Sequence, residues 1–203
     1  MLEAPVRVYL ITDKAFQNAR FRVLGCMRFS IGTVLMLMFA FATAQKNTLL
    51  MHSSVTVKDG KAYLFLGKSG TGKSTHSQLW INNIEGCELL NDDNPALRVE
   101  DNGEVRVYGT PWSGKTPCYR NLVMPVGAIV DLHQAPKNEI RQLSIAEAYA
   151  VLYVSFSSYR FIKEVSSGQH VTTEKIVTSV PCYSLNCLPD ADAAFLCHNT
   201  VTR

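Results

Sequence analysis

The chain has 203 residues, 47% hydrophobic and 18% charged, with 8 prolines and 12 glycines. This suffices for one well-filled core, is too short for two generous domains, and is too apolar for a disordered chain. The net charge of +3 is scattered along the chain. No basic block tracks a nucleic-acid backbone, which argues against nucleic acid as a partner.

Val6 to Thr12 alternates like a strand. Ile31 to Ala44 is apolar on every side and ends in Ala42-Thr43-Ala44, which resembles a signal-peptidase site. The stretch is shorter than the ~20 residues that span a bilayer, and the segment before it is long for a leader. A buried helix is therefore expected, with no membrane anchor. Membrane association through this stretch ranks last among the readings.

Met51 to Val57 and Ala62 to Leu66 flank Asp59-Gly60, a hairpin signal, because a two-residue type I′ turn needs positive φ. The second strand is continuously apolar, as suits burial on both faces. Ser74 to about Asn82 reads as a helix. Glu88-Leu89-Leu90 reads as a short strand ending at Asn91-Asp92-Asp93. A second hairpin sets Leu97 and Val99 against Val105 and Val107 across Asn102-Gly103. Gly127 to Leu132 is a further strand. Ser144 to Glu147 is a capping box opening a helix to about Tyr153. A helical stretch near Thr173 to Thr178, a strand at Cys182 to Leu185 and a segment at Ala191 to Leu196 follow. Hairpins mixed with helices point to one α/β domain with a mixed sheet.

The six cysteines, Cys26, Cys87, Cys118, Cys182, Cys187 and Cys197, form no CxxC pair. They read as buried or free thiols of a reducing cytoplasm.

Chemistry concentrates in Gly67-Lys68-Ser69-Gly70-Thr71-Gly72-Lys73-Ser74, which fits G-x-x-x-x-G-K-[ST] at every fixed position. Glycines allow a nest of amides that face phosphate oxygens, and the next helix adds its positive end. Lys73 would bridge the outer phosphates of ATP, and the Ser74 hydroxyl would ligate Mg²⁺. Asp92 and Asp93, at a strand end soon after the loop helix, stand where a P-loop enzyme holds its metal. The bland alternative is a solvated turn rich in Asn and Asp. His52 is expected beside the phosphates if Asp59-Gly60 closes the hairpin tightly; a lone histidine is otherwise more often structural. Gly109 to Pro117 is an unusual loop with Trp112, read as a lid or wall in which Lys115, with Arg120, faces anions; an ordinary surface loop anchored by a buried Trp is an equal reading.

From His52 to about Leu132 the sequence resembles the HPr kinase/phosphorylase and PEP carboxykinase superfamily, in the order His52, hairpin, Gly67–Ser74 loop and Asp92-Asp93. The resemblance implies the mixed-sheet P-loop fold of an HPr kinase catalytic domain. It also implies an ATP- and Mg²⁺-dependent transfer to a protein serine or small hydroxyl acceptor. His52 and an Asp of the pair would act at the phosphoryl group, and metal would bridge the nucleotide phosphates. HPr kinases assemble as hexamers, so the resemblance extends to a homo-oligomer. The chain departs from the family in two places. Thr75 follows Gly72-Lys73-Ser74 where HPr kinases carry Glu, as in the carboxykinase-like loop, and Tyr108-Gly109 stands where the family has Arg-Gly. A nucleotide-binding sensor without catalysis is the alternative. PEP carboxykinase activity ranks lower, because the chain lacks the length of that enzyme's N-terminal part.

Overall fold

The computed structural model describes residues 7–24, 27–114, 116–159 and 161–203. A hairpin of β1 (Arg7–Thr12) and β2 (Ala19–Leu24) precedes α1 (Met27–Thr43) and β3 (Thr48–Leu50). Then come β4 (Ser53–Lys58), β5 (Lys61–Leu66), α2 (Lys73–Asn83), β6 (Glu88–Asp93), β7 (Ala96–Val99), β8 (Val105–Tyr108) and β9 (Val123–Gln134). After these run β10 (Glu139–Gln142), α3 (Ile145–Ser155), α4 (Lys163–Ser179), β11 (Cys182–Cys187) and α5 (Ala191–Val201). Of the positions read from the sequence, Val6, Cys26 and Lys115 lie outside the described residues.

Strands β3 to β11 form one mixed sheet. In it β5 pairs antiparallel with β4 and parallel with β9. β6 pairs antiparallel with β4, and β11 runs parallel to β9. The other pairings are antiparallel. The mixed α/β class expected from the sequence is the one observed.

The apolar run of β5 has a physical reason. Ala62, Leu64 and Leu66 join a core with Ile129 of β9, Leu152 of α3 and Ile176 of α4. Tyr63 and Phe65 join another with Val130, Trp80 of α2, and Ala194 and Cys197 of α5. Alternate side chains of one strand thus face opposite helix layers, and neither face is left for water. The β4–β5 turn takes the expected geometry, with φ 49° at Asp59 and 73° at Gly60. The second hairpin also has the expected register, Leu97 against Val107 and Val99 against Val105.

Some expectations need correction. Helix α1 is half-buried rather than buried. Val34, Ala40 and Phe41 are covered, whereas Leu35 is 52% exposed. Its covered side packs over Leu50 and Ala96, and against Val165 of α4. No helix among the described residues is long and apolar enough to cross a membrane. The helix expected near Thr173 to Thr178 begins at Lys163. Its early Ser-Ser-Gly run is a poor helix former, but Gly168 lies directly against the Ala44 carbonyl, and tertiary packing decides the conformation. β6 continues through Asn91, Asp92 and Asp93, so these residues are strand rather than solvated turn.

The topology gathers chain ends. β4 runs antiparallel to both β5 and β6, so its start meets the ends of both. The last residue of β5, Leu66, pairs with Asp131 near the end of the parallel strand β9. One edge of the sheet therefore collects the starts of β4 and α2 and the ends of β5, β6 and β9.

Candidate functional site

The glycine-rich loop leaves β5 at that edge. Gly67, Gly70 and Gly72 have φ of 140°, 84° and 108°, values that a side chain would strain. A Cβ at Gly67 would also meet the Leu132 carbonyl and Thr71 at 3.2 Å. Gly72 caps α2 with no side-chain hydrogen bond, so the first-turn amides keep the positive character of a helix start. Gln134 Nε2 donates to the carbonyls of Gly70 and Thr71 at 3.3 Å and ties the loop to β9.

Lys73 Nζ donates to the Gly67 carbonyl at 3.0 Å, lies 3.4 Å from the Lys68 carbonyl, and is 2.9 Å from His52 Nε2. Burial lowers its pKa; the nearby Asp93 and Asp92 carboxylates oppose that shift without cancelling it. An ammonium has only donors, so Nε2 of His52 accepts and the imidazole proton sits on Nδ1. Nδ1 in turn lies 3.1 Å from Asp93 Oδ1. The result is a continuous chain from Asp93 through His52 to Lys73.

His52 is placed by backbone pairing. It lies where the chain leaves β3 for β4, with Met51 N donating to the Pro95 carbonyl at 3.0 Å. Its own amide donates to the Ser155 carbonyl at 2.8 Å, at the end of α3. The capping box that starts α3 is present, with the Glu147 side chain accepting from the Ser144 amide at 2.9 Å. Both ends of α3 are therefore fixed, and its exit segment positions the histidine.

Asp92 is 3% exposed. Its Oδ1 accepts from Ser74 Oγ at 2.8 Å, and its Oδ2 from the Thr116 amide at 3.4 Å. The Gly109 to Pro117 loop wraps this strand end. The Gly114 amide donates to the Asp92 carbonyl, Ser113 bridges to Asp93, and a Cβ on Gly114 would lie 2.8 Å from the Asp92 carbonyl. Asn91 Nδ2 holds the same loop through the Thr110 carbonyl at 3.2 Å. The described residues of this loop thus pack over the end of β6. Arg120 does not face the site, because it pairs with Glu88 at 2.8 Å and with the Leu89 carbonyl at 2.8 Å, at the far end of β6. The Tyr108 hydroxyl bonds to Glu100, within its own hairpin.

The structure therefore brings together His52, Lys73, Ser74, Asp92 and Asp93. Lys68, Ser69 and Thr71 line a cleft of about 880 Å³ on the His52 side of the loop. Thr75 lines an adjoining cleft of about 610 Å³ with Leu79, Pro136 and Leu188, and the two clefts meet at Gly70, Thr71, Leu132 and Gln134.

Sequence reasoning missed three residues at the end of β9. Asp131 and His133 pair at 2.8 Å inside the larger cleft, and Gln134 follows. Burial raises the Asp131 carboxyl above its usual value, partly offset by His133. The available signal was a carboxylate closing an apolar strand. Its significance depends on the parallel pairing of β9 with β5, which no local pattern specifies.

His76, one turn into α2, is 3% exposed and accepts from Trp80 Nε1 at 3.2 Å. Burial pushes its imidazole down to about 4 from 6.5. The unfolded chain binds this proton at higher pH than the folded one. The associated stability is complete above pH 6.5 and is lost as the pH falls towards 4, on the order of 3 kcal/mol. Urea unfolding at pH 7 and pH 4 should show this loss in the wild type and a smaller one in His76→Gln. Equal losses would contradict the assignment.

No family profile matches the chain, and no curated protein sequence does. Among solved structures, the HPr(Ser) kinase/phosphatase from Coxiella burnetii is similar at 17% identity and a TM-score of 0.45, over 76% of this chain and 88% of that one.

Proposed function

We propose that the chain is an ATP-dependent phosphotransferase, a single nucleotide-binding domain whose Gly67–Ser74 segment is a P-loop. The observation that carries this reading is the convergence of Lys73, His52 and Asp93 in one hydrogen-bonded chain, next to the Ser74–Asp92 pair.

The loop amides and Lys73 would hold the β- and γ-phosphates, with Lys73 exchanging its carbonyl partners for phosphate oxygens. The nucleoside would extend past Thr75 into the cleft with Leu79 and Pro136. Mg²⁺ fits the Ser74–Asp92 pair: a nearly buried carboxylate that accepts from the Ser74 hydroxyl at 2.8 Å and from the Thr116 backbone amide at 3.4 Å. Such an ion needs only one or two protein oxygens when phosphate and water supply the rest, and it would neutralise charge on the transferring group. Asp93 would take the acceptor's hydroxyl proton, with His52 holding that carboxylate in place. Calorimetric titration with ATP in the presence of Mg²⁺ tests the reading. Binding by the wild type and its loss in Lys73→Ala support it; equal binding by both would refute it.

A further inference from the structure

Helix α1, the Trp112 loop and the exposed Tyr119 border an open third cleft of about 530 Å³ beside His52 and Asp93. His52 and Asp93 reach into it, while no residue of the 67–74 loop lines it. His52 therefore separates two spaces: its Nε2 faces Lys73, and its Nδ1 faces Asp93. In phosphoryl transfer the attacking and leaving oxygens lie roughly in line across the phosphorus. With the leaving oxygen on the glycine-rich loop, the attacking hydroxyl must approach from the Asp93 side. The third cleft opens there.

The cleft is also a built one. Trp112 Nε1 donates to the Gly32 carbonyl of α1 at 3.2 Å, and the indole packs on Phe39 with ring centroids 5.6 Å apart. The loop is thereby fastened to the helix. Ser157 Oγ donates to Asn94 Oδ1 at 2.6 Å on the floor. The walls are Trp112, Tyr119 and Met36, and the hydroxyl and amide groups come from Ser113, Ser157 and Asn94. Flat apolar faces beside hydrogen-bonding groups match a ring that is apolar on one face and hydroxylated at its rim. The volume is that of a small-molecule site. No lysine or arginine among the described residues lines it, and the Asp93 carboxylate would repel an anionic acceptor.

We infer that this cleft is the acceptor site and takes a neutral cyclic polyol, a sugar or an inositol, rather than a protein serine. The inference rests on the phosphotransferase reading. In the step it implies, the acceptor oxygen bonds to the γ-phosphorus as the bond from that phosphorus to the β-phosphate oxygen breaks. The hydroxyl proton passes to Asp93, and ADP leaves with the bonding electron pair. Helix α1 thus acquires a role that its apolar sequence alone does not suggest: it is one wall of the substrate site.

Trp112 allows a test without nucleotide, because the other tryptophan, Trp80, is fully buried. Titration of the protein with methyl α-glucoside, myo-inositol and, as an acyclic control, glycerol is followed by tryptophan emission. A saturable change with a cyclic polyol is expected, with its midpoint raised at least tenfold in Tyr119→Ala, whose ring is 68% exposed and outside the core. With Mg²⁺ and γ-labelled ATP, label should then appear in the polyol ester. Emission unchanged by every polyol, with or without ATP, would overturn the inference if ATP still binds through Lys73. So would label moving only into protein. Polyol binding without any Lys73-dependent nucleotide binding would overturn the phosphotransferase reading instead, and the acceptor role with it.

Discussion

Replacing Lys73 with alanine is expected to weaken ATP binding by about 100-fold, or roughly 2.7 kcal/mol, while leaving the thermal unfolding temperature nearly unchanged. The ammonium spends its hydrogen bonds on the Gly67 carbonyl and His52. The Gly67 carbonyl belongs to a half-exposed loop that water reaches, so the fold loses little. Bound triphosphate has no such substitute. The loop amides still face it, but the lysine held against the loop carbonyls and His52 is gone. The lowered pKa of Lys73 sharpens the expectation, since phosphate oxygens would stabilise the charged form that burial disfavours. Binding of ATP should therefore raise that pKa and take up protons at alkaline pH, where the free ammonium is partly deprotonated. Calorimetry in buffers of different ionisation enthalpy measures this. Undiminished affinity in Lys73→Ala would mean that the nucleotide lies elsewhere.

Asp93→Asn is the second large effect. The amide is isosteric, and its oxygen can still accept from His52 Nδ1, so the chain to Lys73 persists. What disappears is a base for the acceptor's proton. Turnover should fall by roughly 10²- to 10⁴-fold, with ATP affinity changed only a few-fold. Steady-state kinetics together with binding titration separates the two. If turnover and affinity fell in parallel, Asp93 would be a nucleotide-binding residue and not the proton acceptor.

The parts of this architecture that were legible in the sequence are those written locally. The turn at Asp59-Gly60 needs two positive φ values, and that dipeptide supplies them cheaply. Once that turn is known, the β4–β5 register follows, and with it the placement of His52 near the glycine-rich loop. The capping box at Ser144 is likewise local. The site edge was legible only in part. Asp92 and Asp93 drew attention as paired carboxylates, but their strand character comes from pairing with Ser54 and Ser53, a long-range fact. Asn and Asp favour turns, and tertiary pairing overrides that preference here.

Asp131, His133 and Gln134 are not legible in the sequence for a related reason. Their strand reads as ordinary core until its parallel partner is known. Helix α1 misled in the other direction. A segment apolar on all sides suggests complete burial, yet it lies across the short strands β3 and β7 with one side open, and its residues Gly32 and Met36 line a cleft. Arg120 follows the Trp112 loop in sequence, which makes a place beside the site one of two equal readings. The loop doubles back along β6, so the guanidinium ends beside Glu88.

The most direct test of the account is transfer of label from γ-labelled ATP, with Mg²⁺, into a fractionated cell lysate, run in parallel with the wild type and Lys73→Ala. The account predicts labelled product in a small-molecule fraction with the wild type only, dependent on Mg²⁺. Lys73-dependent binding of ATP with no label moved to any fraction would contradict it, leaving a nucleotide sensor built on the same loop.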